Sequence, residues 1–151
     1  MKTTHQEFID LEPSQKEELH FSLCLNALSI WEAYTKQLEI PYTESVFGTK
    51  HIVDNTLPNK AYNAALKKKS CSFIFDNYSE PITSMQDGDL EFPVNIEFAY
   101  YAIYNLYLKY SRNGDIDDWL IVNQALSAED LSEDQYEIKL RKEIALILKR
   151  S

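Results

Sequence analysis

Apolar residues recur along most of this chain with a helical period, three or four positions apart. Leu19, Leu23, Ala27, Ile30, Trp31, Tyr34 and Leu38 form the first such stripe. Ser14-Gln15-Lys16-Glu17 precedes it and reads as a capping box, in which the serine accepts from the backbone and the glutamate reaches back. Pro41 ends the run, because the residue before a proline is pushed out of the α region. Together these signals predict one long helix over 14–39.

The next stretch is less regular. Thr43 is placed to cap a helix carrying Val46, Phe47 and Ile52, weakened by Gly48. Leu57-Pro58-Asn59 reads as a break, with Asn59 capping a short helix through Ala61, Tyr62, Ala65 and Leu66. Lys67-Lys68-Lys69 suits the C-terminal end of that helix, where cations meet the dipole. Residues 71–75 (Cys71-Ser72-Phe73-Ile74-Phe75) read as an apolar strap or a short strand. From Asp76 to Pro93 the turn formers Asn77, Ser79, Pro81, Ser84, Gly88 and Pro93 predict a long loop.

Residues 94–112 form the most apolar segment, with apolar groups all round it, and are expected to be the central helix. Gly114 closes it near C′. Asp115 or Asp117 caps the next helix, whose inward face is Trp119, Leu120, Val122 and Leu126. Ser132 and Gln135 form a second capping box for a last helix with Tyr136, Leu140, Ile144, Ile147 and Leu148 inward. The sequence therefore predicts a single all-α domain over 1–151, with five or six helices packed around 94–112 and a flexible tail over 1–12. Trp31 and Trp119 are both expected to be buried.

Composition agrees with this picture. The chain has 151 residues, 44% hydrophobic and 13% aromatic, which suffices for one core. Three glycines and five prolines are too few for a fold built on tight turns. Residues 1–13 lack the apolar core of a signal peptide, and no apolar run approaches the length of a membrane span. Cys24 and Cys71 are expected to be free, buried thiols in a reducing cytoplasm.

Catalytic and ligand signals are sparse. His5, His20 and His51 have no spacing that suits a metal site and are expected at the surface or at caps. Nucleophile elbows, Cys-x-x-Cys pairs and phosphate loops do not occur. Asp87-Gly88-Asp89-Leu90-Glu91 and Asn113-Gly114-Asp115-Ile116-Asp117-Asp118 alternate oxygens as hard-cation loops do, yet neither fits the twelve-residue calcium loop, and helix capping explains the second more simply. No metal and no cofactor is expected. Of ten tyrosines, five lie at Tyr100, Tyr101, Tyr104, Tyr107 and Tyr110. Tyr100, Tyr104 and Tyr107 share one helical face, either as core or as an aromatic contact.

Charge is distributed unevenly. Net charge is −9, but between residues 76 and 137 only Lys109 and Arg112 oppose fourteen acids. All but Glu97 fall on the expected loop (Asp76, Glu80, Asp87, Asp89, Glu91), the turn after the tyrosine helix (Asp115, Asp117, Asp118) and the approach to the last helix (Glu129, Asp130, Glu133, Asp134, Glu137). Such a field disfavours nucleic acid and membrane surfaces and favours a basic protein partner. A merely solubilising surface is the plainer reading.

A short, acidic, helical chain without catalytic motif resembles the small immunity proteins of bacterial polymorphic and contact-dependent toxin systems. The likeness is carried by Ser29-Ile30-Trp31-Glu32-Ala33-Tyr34, by the tyrosine-rich segment 98–110 and by the acids that follow. It is a likeness of type, so no family residue transfers position by position. It implies a cytoplasmic bacterial protein, not an enzyme, that binds a cognate toxin domain, commonly a basic nuclease, with carboxylates standing in for substrate phosphates. Asp87, Asp89, Glu91, Asp115, Asp117, Asp118, Glu129, Asp130, Glu133 and Asp134 are then the expected partner-binding residues. Two alternatives remain: a small-molecule or regulatory binding domain walled by the tyrosine helix, and an enzyme with a carboxylate site that no motif marks.

Overall fold

The structure, a computed structural model, describes residues 2–88 and 90–150. Its elements run α1 (Thr4–Ile9), α2 (Pro13–Thr35), β1 (Tyr42–Val46), β2 (Thr49–Val53), α3 (Leu57–Leu66), α4 (Ser72–Gln86), α5 (Val94–Arg112), α6 (Asp118–Ser127) and α7 (Glu133–Arg150). The protein is thus mostly helical, with one two-stranded antiparallel sheet among the described residues.

α5 occupies the place expected of it. It packs against α2, α3, α4 and α6, and Ile96, Ala99, Tyr100, Ala102, Ile103, Leu106 and Tyr107 are buried along it. Trp31 of α2 meets it from one side, its ring 5.0 Å from that of Tyr100. Tyr78 of α4 stacks on Tyr100 at 4.1 Å. The two tyrosines also exchange bonds: each hydroxyl donates to the other's backbone carbonyl, at 2.8 and 2.9 Å. A buried hydroxyl without a partner would carry a desolvation penalty of about 1–3 kcal/mol, and this pairing removes it twice.

Several element ends differ from the sequence reading. The cap of α2 is Glu12, two residues before Ser14. Pro13 takes the first helical position, and the side chain of Gln15 accepts from the Glu12 N–H at 2.8 Å. The helix also stops at Thr35, short of Pro41. The buried Asn55 explains this, since its amide donates to the Glu39 carbonyl at 3.1 Å and holds the segment after α2 in a turn. α3 starts at Leu57 rather than at Asn59, because Asp54 accepts from both the N–H and the hydroxyl of Thr56 and sets the helix entry there. At the end of α5 the left-handed residue is Asn113, not Gly114 (φ 54°). The Gly114 N–H then closes on the Leu108 carbonyl at 2.8 Å.

Three segments are of a different kind from that expected. Residues 42–53 form a β-hairpin in place of a helix. Phe47 and Gly48 both have positive φ, 49° and 80°, which is a two-residue primed turn. The strap or strand at 71–75 and most of the long loop after it are instead one helix, α4. Its buried residues Ile74, Tyr78, Pro81 and Met85 keep helical spacing, so packing outweighs the breaker inside it. Residues 4–9, expected as part of a tail, form α1, capped by Thr3 and Gln6 and packed against α7 with Phe8 buried. Seven described helices and a hairpin thus replace the expected five or six. The caps at Asp117 and at Ser132 with Gln135 are as read from the sequence. Among the described residues no helix is long and apolar enough to cross a membrane.

Candidate protein-binding groove

The fold separates the acids that the sequence groups together. Asp115, Asp117 and Asp118 lie beyond the C-terminal end of α5, while Asp87 and Glu91 lie before its N-terminal end. With nineteen residues in α5, these ends are about 28 Å apart. Asp89 lies outside the described residues. Glu129 and Asp130 belong with the second group, since the Ala128 carbonyl accepts from Asn95 near the start of α5. No single face therefore carries all of them.

Several of these carboxylates are also occupied. Asp118 pairs with Lys109 at 2.7 Å. Asp117 caps α6 by accepting from the Trp119 N–H. Glu129 meets Lys139 at 3.6 Å and leaves its second oxygen buried without a partner. Asp87, Glu91, Asp115 and Asp130 are exposed and make no described ion pair.

Glu133 and Asp134 are different. Both stand in the first turn of α7, where the helix dipole favours acids. Glu137 follows one turn on. With Trp119 and Asn123 of α6 and Tyr136 of α7 they enclose a groove of about 550 Å³. Neither lysine nor arginine lines it. The Tyr136 hydroxyl donates to the Asn123 side chain at 2.6 Å and so ties the two helices across the floor. Burial, and then the charge of Glu137, push that phenol up to about 12, so it stays protonated and a donor. Glu137 is held by the Thr4 hydroxyl at 2.5 Å. Trp119 is wedged from behind by His5 and Phe8, at 4.5 and 5.2 Å between ring centroids. α1 thus backs Trp119, which is half-buried and lines the groove instead of lying in the core as expected.

The chemistry of this arrangement suits a cation. Aromatic rings attract an ammonium or guanidinium, and carboxylates beside them add charge-assisted hydrogen bonds. Of the expected partner-binding acids, the groove brings together Glu133 and Asp134. The sequence pattern places Trp119 and Tyr136 on core stripes, and it groups Glu137 with the acids before the last helix without marking it as a partner-binding residue. The spacings Trp119–Asn123 and Glu133–Glu137, each one turn, were the available signal.

The tyrosine face is largely core, and of its three residues Tyr104 also lines a surface hollow, beside Tyr101. Tyr100 and Tyr107 are fully buried. The Tyr107 hydroxyl accepts from the Cys71 N–H at 2.8 Å and donates to the Cys71 carbonyl at 3.0 Å, which anchors the start of α4. Tyr104 is half-buried, stacked on Tyr78 at 4.8 Å. His20 is likewise buried rather than at the surface. Of the two free thiols, Cys24 is buried and Cys71 is exposed. Among the described residues no group of three histidines, cysteines or acids is arranged to hold a metal ion. No family model matches this chain, and neither does any curated protein or solved structure.

Proposed function

We propose that the protein is a binding inhibitor of the immunity type, which neutralises a basic protein by direct docking. The observation that carries this reading is the groove between α6 and α7, with three carboxylates, two aromatic rings and no cation of its own. A lysine or arginine at the centre of the partner's interface fits it, and the surrounding acids speed its approach. The reading narrows the contact from the whole acidic half of the chain to Glu133, Asp134, Glu137, Trp119 and Tyr136.

The test is co-expression with a basic toxin domain encoded beside the gene. The unaltered protein is expected to protect the host cells and to bind the domain with an association rate that falls as salt rises. Reversing Glu133, Asp134 and Glu137 together to lysine is expected to remove protection and slow association by more than about tenfold. Helical circular dichroism is expected to survive. The comparison is reversal of Asp76 in α4 and Asp87 at its C-terminal cap. α4 packs against α3, α5 and β2 and contributes no residue to the groove, so this reversal is expected to leave most binding intact. Equal binding by the groove variant and the parent would overturn the assignment.

A further inference from the structure

A second hollow, also of about 550 Å³, opens between β2 and α4. Its walls include Ile52 of β2, Phe73 of α4 and Ile40 from the segment before β1. These three are 52%, 51% and 64% exposed. Large apolar side chains left in water within one concavity mark binding surfaces more than scattered ones do.

One wall of this hollow is a strand with a free edge. Val46 faces Thr49 across the two-residue turn. Such a closing pair is hydrogen-bonded, and bonded and non-bonded pairs alternate from it. Glu44–His51 and Tyr42–Val53 therefore exchange the ladder bonds, and the N–H and C=O of Lys50 and Ile52 point away from β1. Among the described residues no further backbone group bonds to them. The alternation also sorts the side chains. Val53 is buried and His51 meets Ser84 at 3.2 Å, whereas Lys50 and Ile52 turn the other way and line the hollow.

Charge narrows the occupant. Lys60 is engaged by Asp54 at 3.8 Å and sits over the Phe73 ring. Lys50 makes no described ion pair, and Glu80 is the remaining charge, on the helix wall. A strand laid beside β2 sets one side chain next to Ile52 and one, two residues away, next to Lys50. We propose that this hollow binds an extended segment of a partner protein. The segment joins β2 as a third strand, seats an apolar side chain between Ile52 and Phe73, and pairs an acidic side chain with Lys50. This site is separate from the acidic groove and does not depend on it.

The experiment uses the full chain and a blocked peptide, Thr-Thr-Leu-Thr-Glu-Thr-Thr, followed by NMR. Saturable shifts are expected at residues 50–53 and 73–81, with the Lys50 and Ile52 amides becoming protected from exchange. Phe73→Ala is expected to weaken binding at least about tenfold, as loss of an interface anchor does. Because Phe73 is half-exposed, the fold is expected to survive that change. Lys50→Glu is expected to invert the preference, towards the same peptide with lysine in place of glutamate. Absence of saturable shifts at millimolar peptide, unprotected Lys50 and Ile52 amides, or shifts confined to 133–137 would each overturn the proposal. Self-association through the hairpin, detected by sedimentation, would make a second copy the occupant and overturn it as well.

Discussion

His20 shows how a single buried side chain is fixed by its neighbours. Its Nε2 lies 2.8 Å from the Asp118 carbonyl, which only accepts, so the proton is on Nε2. Nδ1 is then bare and accepts from the Tyr110 hydroxyl at 2.7 Å. Burial is the largest influence on the ring and lowers its proton affinity below that of a free histidine, and the charge of Lys109 adds to this. The Asp118 carbonyl and carboxylate act in the opposite sense. In the unfolded chain the imidazole takes its proton near pH 6.5. Below that value the unfolded state binds more protons than the native one, so stability is full above it and declines as pH falls towards the native value. Urea unfolding is expected to give a higher midpoint at pH 7.5 than at pH 5. His20→Gln is expected to be less stable at neutral pH and to show a shallower decline over that interval. An NMR titration that places His20 at or above 6.5 in the folded protein would contradict this account. Nothing in the sequence separated this histidine from His5 or His51, because a lone histidine within an amphipathic helix is silent about which face it takes.

At the level of elements, the hairpin turn carries a conformational cost that its sequence does not relieve. Phe47 sits at φ 49° with its side chain fully exposed, so the strained backbone is not offset by packing. Asparagine is tolerated there far better. Phe47→Asn is expected to stabilise the protein by about 0.5–1 kcal/mol, measured by urea unfolding. The same turn explains why this region was misread. Phe-Gly lacks the usual Asn-Gly signature, and Val46, Phe47 and Ile52 mimic a sparse helical stripe. The β-branched residues Thr43, Val46, Thr49, Ile52 and Val53 were the contrary signal. α4 was missed for a related reason. Pro81, Ser79 and Asn77 are turn formers by local preference, yet Ile74, Tyr78 and Met85 recur at helical spacing and are buried. Local propensity is worth less than the tertiary burial of that stripe. α5, α6 and α7 were legible because periodicity and caps agree in them, with Asp117 and Ser132 marking two of the starts.

On the scale of the whole molecule, the excess of acid in residues 76–137 was plain in the sequence, but its grouping was not. Which carboxylates meet a lysine and which stand alone depends on how α5, α6 and α7 turn back on one another, and linear spacing does not record that. The groove arises from the way α7 folds back on α6, with α1 packed behind Trp119. The packing also distributes cohesion unequally. α2, α3, α5 and α6 share one core around Trp31 and Tyr100, whereas the hairpin stands at its edge. Asn55 fastens that edge. Its side chain accepts from the Tyr42 N–H at 3.1 Å and donates to the Glu39 carbonyl, and its own carbonyl accepts from the Trp31 indole at 2.9 Å. One amide therefore holds both the exit from α2 and the root of the hairpin. Removing it separates two levels of cooperativity, a local opening and global unfolding. In Asn55→Ala, trypsin is expected to cut after Lys50 much faster than in the parent. The two fragments are expected to stay associated and helical, so that the protein is nicked before it is unfolded.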